Sequence, residues 1–93
     1  MKAERVAEVL ARHGVGADAP AAEVIDALRR SGWRVVVDEG VGQTGHRRVT
    51  AMAWRTAVSA TLGAPYRQTL RAGKPTEGAA LAELLAKVLE RSA

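Results

Sequence analysis

Trp33-Arg34-Val35-Val36-Val37-Asp38 follows directly on Ser31-Gly32, and here the chain changes its period. Before this point, apolar side chains recur at helical spacing. Here three consecutive valines read as a strand, because β-branched side chains suit a pleated surface and lose freedom in a helix. Gly32 is the residue that favours a helix C-terminus, so one helix stops where the strand begins.

Upstream, Val24, Ile25 and Leu28 form the apolar face of that helix. Arg29 and Arg30 fall in its last turn, where cations complement the macrodipole. Asp18 is placed to cap it, with Pro20 in the first turn, where the missing N–H costs nothing. Residues 2–13 carry a narrower stripe of Ala3, Val6, Val9 and Leu10, with Glu4, Arg5, Glu8 and Arg12 between them. Gly14 and Gly16 end this first helix.

Downstream, Glu39–Gly45 holds three glycines and reads as a connection. Arg47 to about Arg55 is a second strand, with Val49, Ala51 and Ala53 on one side and Thr50, Met52 and Trp54 on the other. Both sides are partly apolar, which fits a strand covered on both faces or lying at an interface. Residues 56–65 read as either a short strand or a loop, broken by Gly63-Ala64-Pro65. Tyr66–Arg71 alternates cleanly and is expected as a third strand, solvated on the side of Arg67 and Arg71. Gly73 and Pro75 close it, and Thr76 caps a last helix running to about Arg91. In that helix Leu81, Leu84, Leu85, Val88 and Leu89 make the clearest amphipathic stripe of the chain, wide enough to lie across a sheet. The order is α-α-β-β-β-α: one α+β domain over residues 1–93, with a three-stranded antiparallel sheet.

The apolar share of 47% is Ala, Val and Leu for the most part, with no Phe and only Trp33, Trp54 and Tyr66 as aromatics. Small side chains bury little area each, at about 25 cal/mol per Å², so the few large ones must anchor the core. Both tryptophans are therefore expected inside. The absence of cysteine excludes disulfides, thiolate zinc sites and cysteine nucleophiles. No apolar run approaches the roughly 20 residues of a membrane span, and Met1-Lys2-Ala3-Glu4-Arg5 has no signal core. A cytoplasmic protein with no membrane partner is the expectation.

Charge is sorted along the chain. Residues 1–28 carry three Lys/Arg against five Asp/Glu, residues 29–74 carry nine against two, and residues 75–93 carry two against three. The net values −2, +7 and −1 sum to +4. Folding should therefore create one positive region, able to attract a polyanion or an acidic protein face. The candidate binding residues are Arg47 and Arg48 beside the glycine-rich connection, Arg67, Arg71 and Lys74 on or after the third strand, and Tyr66. An exposed aromatic beside arginine suits either a base or a protein hot spot.

No catalytic or metal site is read from the sequence, and no cofactor is expected. His13 and His46 lie in unrelated segments without further ligands at metal spacing. Ser31, Ser59 and Ser92 have no nucleophile motif around them. The glycines of Gly40-Val41-Gly42-Gln43-Thr44-Gly45 precede a strand instead of opening a helix, so a phosphate loop lacks its physical basis.

Residues 22–89 resemble the phage ABA-sandwich family of small phage and prophage proteins. The resemblance lies in Gly32-Trp33 before the valine-rich strand, and in Gly73-Lys74-Pro75-Thr76 before the Ala/Leu-rich helix. It implies a viral or mobile-element setting, hence the host cell interior, and transfers no catalytic residues. The helix–three strands–helix order also resembles the double-stranded RNA-binding domain, with Gly45-His46 before the second strand. That family's phosphate-gripping lysines at the last helix are replaced by Glu77, Gly78, Ala79 and Ala80, leaving Lys74.

The reading is thus a non-enzymatic basic binding module that modulates or inhibits a nucleic-acid-handling complex through protein contact. Direct, weakly specific nucleic-acid binding is the alternative. A structural oligomer is a third reading, in which the narrow-striped first helix packs on the sheet's other face or docks on a second copy in a homodimer.

Overall fold

The structure, a computed structural model, describes residues 1–41 and 45–92. Residues 42–44, in the middle of the glycine-rich connection, lie outside the described residues. The elements follow in the order α1 (Ala3–Arg12), α2 (Ala21–Arg30), β1 (Arg34–Val41), β2 (Arg47–Val58), β3 (Pro65–Lys74) and α3 (Glu77–Ser92). The strands form one antiparallel sheet in the order β1-β2-β3, so the α+β arrangement is as expected.

The registers Val35↔Ala53↔Leu70 and Val37↔Ala51↔Ala72 set the buried face. Directly opposed residues share a face, and successive residues alternate. Ala51, Ala53 and Ala72 are almost fully buried, and their small side chains let α3 lie close to the sheet. Helix α3 is covered from Ala80 through Ala86 on every side. It rests on β2 and β3 and carries α1 and α2 on its far side, with α2 also touching β1. All three helices are on the same side of the sheet. The expectation of α1 on the opposite face is corrected: Val6, Val9 and Leu10 join the common core through α3.

Local chemistry explains the ends. Thr76 caps α3 as expected, its Oγ1 accepting from the Ala79 N–H at 3.3 Å. Asp18 does not cap α2. The helix begins one residue after Pro20, whose carbonyl accepts the first helical N–H groups from Glu23 and Val24, leaving Asp18 two residues too early. Gly32 turns the chain with φ +88, a conformation that side chains disfavour, and delivers Trp33 to the core.

The strands run longer than their sequence signals. β1 continues through Glu39-Gly40-Val41, β3 continues to Lys74, and β2 runs to Val58, with residues 59–64 as the turn. The turn is closed by Ser59 N–H to Ala64 O at 2.9 Å and Gly63 N–H to Ser59 O at 2.8 Å. Pairing supplies what propensity lacks here: β2 and β3 stay in register from Val49↔Lys74 to Val58↔Pro65.

Candidate functional site

Among the described residues, no helix lies over the far face of the sheet. By alternation it carries Arg34, Val36, Asp38 and Gly40 from β1, and Arg48, Thr50, Met52, Trp54, Thr56 and Val58 from β2. From β3 it carries Pro65, Arg67, Thr69, Arg71 and Gly73. Trp54 lies near the middle, directly between Arg34 and Thr69, and the next row sets Met52 between Val36 and Arg71. Val36 is 45% exposed, while Trp54 and Met52 are half-buried. Four arginines share this face with a single carboxylate, Asp38.

Of the six candidates from the sequence, the structure brings Arg48, Arg67 and Arg71 together on the open face and separates the others. Arg47 points to the helix side of the sheet and pairs with Glu39. Lys74 is half-buried on that same side, 3.7 Å from Glu83 and 3.3 Å from the Met1 carbonyl, so it serves the interior. Tyr66 also has helix-side parity, but it lies out on the hairpin beyond the helices and is 48% exposed. The parity of residues 47, 66 and 74 against 48, 67 and 71 follows from the alternation rule once the strand limits are known. The sequence signal was obscured because β3 reads as ending at Arg71.

Trp54 and Arg34 were missed. Trp33 is buried as expected, only 2% exposed, but Trp54 is not a core anchor. Its neighbours Ala53 and Arg55 take the helix side, which leaves Trp54 on the uncovered one. The alternation of β2 in the sequence already contained this split. A lack of other large residues pointed the wrong way.

Among the described residues, ion pairs are confined to the helix side. There Arg5, Arg12, Arg47, Lys74 and Lys87 meet carboxylates, while Lys2, Arg29, Arg30, Arg55 and Arg91 meet none among the described residues. Arg34, Arg48, Arg67 and Arg71 meet none among the described residues. The Arg48 guanidinium lies over Gly73, close enough that a Cβ there would fall 2.6 Å from its Nη2. At one end of the face β2 and β3 outrun β1, whose pairing starts at Arg34↔Trp54. The step leaves a notch of about 280 Å³ lined by Gly32, Arg34, Trp54, Arg55, Thr56 and Arg67. Arg55 is held there from behind: its Nε donates to Gln68 Oε1 at 2.8 Å, and its guanidinium stands 4.5 Å from the centre of the Trp33 ring.

Glu83 organises the covered side. Its carboxylate accepts from the Met1 ammonium at 2.9 Å and lies near Lys74 and Lys87. Burial alone pushes this carboxyl up. The ammonium hydrogen bond and the charges of Lys87 and Lys74 outweigh that effect and hold it below the usual range. Among the described residues no group of three or more His, Asp or Glu is placed to hold a metal ion, and no helix is long and apolar enough to cross a membrane.

Compared with known proteins, the chain matches no family model, no curated protein and no solved structure. The geometry of the open face is therefore what bears on function.

Proposed function

We propose that the protein binds single-stranded nucleic acid on the open face of its sheet, with little sequence preference. One observation carries the reading: an accessible indole, Trp54, stands among four arginines that have no carboxylate partner among the described residues. Aromatic side chains on a flat sheet accept unstacked bases, and surrounding guanidinium groups take the phosphates. A duplex offers no free base to Trp54. The start of α3, with exposed Glu77, lacks the lysines that would grip duplex RNA. Two copies stacked through this face would bring arginine onto arginine, which disfavours self-association there. A phage or mobile-element setting belongs to the same proposal, since single strands arise whenever such elements replicate or transfer.

A second reading, contact with a protein partner, is favoured by the end of the β2–β3 hairpin. Residues 56–66 are uncharged, and Val58 (69%), Leu62 (80%) and Tyr66 (48%) are exposed there. Such side chains anchor protein interfaces.

A gel shift over a salt series separates the two, using a single strand, duplex DNA and duplex RNA of matched sequence. The single strand should shift at low salt. Its log affinity should fall with log salt at a slope of about −3 if four phosphates are met, at roughly −0.7 each. Absence of any shift at low salt defeats the first reading. Recovery of one stoichiometric protein partner, lost on Leu62→Asp, would then uphold the second.

A further inference from the structure

The geometry points to the notch at the β1 end of the open face as a pocket for the terminal phosphate of a nucleotide, so that the protein recognises strand ends. This rests on the nucleic-acid reading above and narrows it. Arg34, Arg55 and Arg67 line one concavity of about 280 Å³, and no carboxylate lines it; Arg34 and Arg67 belong to the open face, and Arg55 stands behind them on the helix side of β2. Like charges gathered in so small a volume repel one another, and a bound anion relieves that repulsion. The site is also built before any ligand arrives. Arg55 is half-buried and fixed by Gln68 and Trp33, which leaves its terminal nitrogens without a partner among the described residues.

Charge selects the kind of phosphate. An internal phosphodiester carries one negative charge, whereas a terminal phosphomonoester carries about 1.5 to 2 at neutral pH, with three acceptor oxygens. Two open-face arginines with a third cation fixed behind them therefore favour the monoester, and arginine forks suit its geometry. The notch, at about 280 Å³, lies just below the roughly 300 Å³ at which small-molecule pockets begin, so it suits a phosphate group with its base left on the open face. The Trp54 wall supplies a surface for the attached base, and beyond it the open face continues past Met52 to Arg71 and Arg48, giving the rest of the strand a path.

The ligand chemistry, a nucleoside monophosphate group, occurs both at strand ends and as free nucleotide. Fluorescence anisotropy should compare one short oligonucleotide in three forms, with a 5′-phosphate, with a 3′-phosphate and with hydroxyls at both ends, at a fixed salt concentration. Free nucleoside monophosphate is added as competitor and is also titrated alone against Trp emission. One phosphorylated form is expected to bind about tenfold tighter than the hydroxyl form. Arg34→Ala and Arg67→Ala should remove that preference, while Arg71→Ala, outside the notch, should weaken all forms alike and keep it. These arginines are exposed, so the variants should melt as the parent does. Equal binding of all three forms overturns the end-recognition proposal and leaves the open-face reading standing. If no oligonucleotide binds but the free nucleotide quenches Trp emission in an Arg34-dependent way, the phosphate pocket stands for free nucleotide, and both strand-end recognition and the open-face reading fail. Neither response sinks both.

Discussion

Arg71 and Lys74 are three residues apart on β3, and the sheet sends them to opposite environments. Lys74 turns under the helices, where Glu83 and the Met1 carbonyl take its charge. Arg71 turns to the uncovered face, where its side chain finds no carboxylate among the described residues, while its backbone carbonyl accepts from Lys87 Nζ at 2.7 Å. The same contrast holds for Trp33 and Trp54. One ring closes the core beneath Arg55, and the other stands between Arg34 and Thr69 on the open side. Residue type alone therefore says little about role in this molecule. Parity along the strand, together with the placement of all three helices on one side, assigns each side chain to the covered face or to the open one.

The widest gap between the faces should appear in stability. Leu84 is fully buried in α3, and Leu84→Ala should cost about 2–5 kcal/mol, lowering the melting temperature by well over ten degrees in a domain this small. Trp54→Ala, although it removes a larger side chain, should cost only about 1–2 kcal/mol, because that ring is half-buried. It should nevertheless abolish most single-strand binding, given that each stacked base contributes about 1–3 kcal/mol. Equal thermal losses for the two variants would show that the open face is covered in solution.

Charge removal gives the next effect. Glu83→Gln leaves the Met1 ammonium, Lys74 and Lys87 facing a neutral amide, and should destabilise by about 2 kcal/mol at neutral pH, less than a fully buried pair because the lysines are partly solvated. The folded-state carboxyl titrates below glutamate's ordinary 4.5. Its contribution is therefore complete above that value and disappears as the pH falls through the lower folded value. Denaturant melts between neutral and acid pH should show the parent losing more stability than the Gln variant. Parallel pH profiles would remove Glu83 from that role.

Smaller still, Arg71→Ala should leave the melting temperature nearly unchanged, within about 0.5 kcal/mol, while reducing the salt slope of single-strand binding by about 0.7. Arg47→Ala, on the covered side and already paired with Glu39, should leave that slope as it is. A drop of similar size from both would erase the distinction between faces. The least change is expected from Gly73→Ala. The new methyl meets the Arg48 guanidinium, the mobile end of a long side chain, and Gly73 has no positive φ to preserve. Stability should move by a few tenths of a kcal/mol, and any loss of binding reports only the displaced Arg48.

Much of the fold was legible because its signals are local. The helical stripe from Leu81 to Leu89, the cap at Thr76, the stop at Gly32 and the valine run after it depend on residues within a few positions of one another. The order of elements followed from these. The hairpin end was ambiguous because Val58 to Leu62 combines strand and turn formers, and cross-strand pairing settled it as strand to Val58. The cap at Asp18 failed for the opposite reason: Pro20, itself suited to a helix start, took the terminal position.

The open face was legible only in part. The charge imbalance of residues 29–74 is a property of composition, and the strands within that segment carry Arg34, Arg48, Arg67 and Arg71 on the open face. Composition cannot say which cations acquire internal partners, since Glu83 reaches Lys74 and the Met1 ammonium only after α3 crosses the sheet. By itself, the amino-acid order determined the elements, their succession and the sign of the charge between them, because those follow from neighbours along the chain. Tertiary structure alone decided that the helices stack on one side and leave a tryptophan and four arginines on the other, because which face is buried depends on contacts between residues distant in sequence.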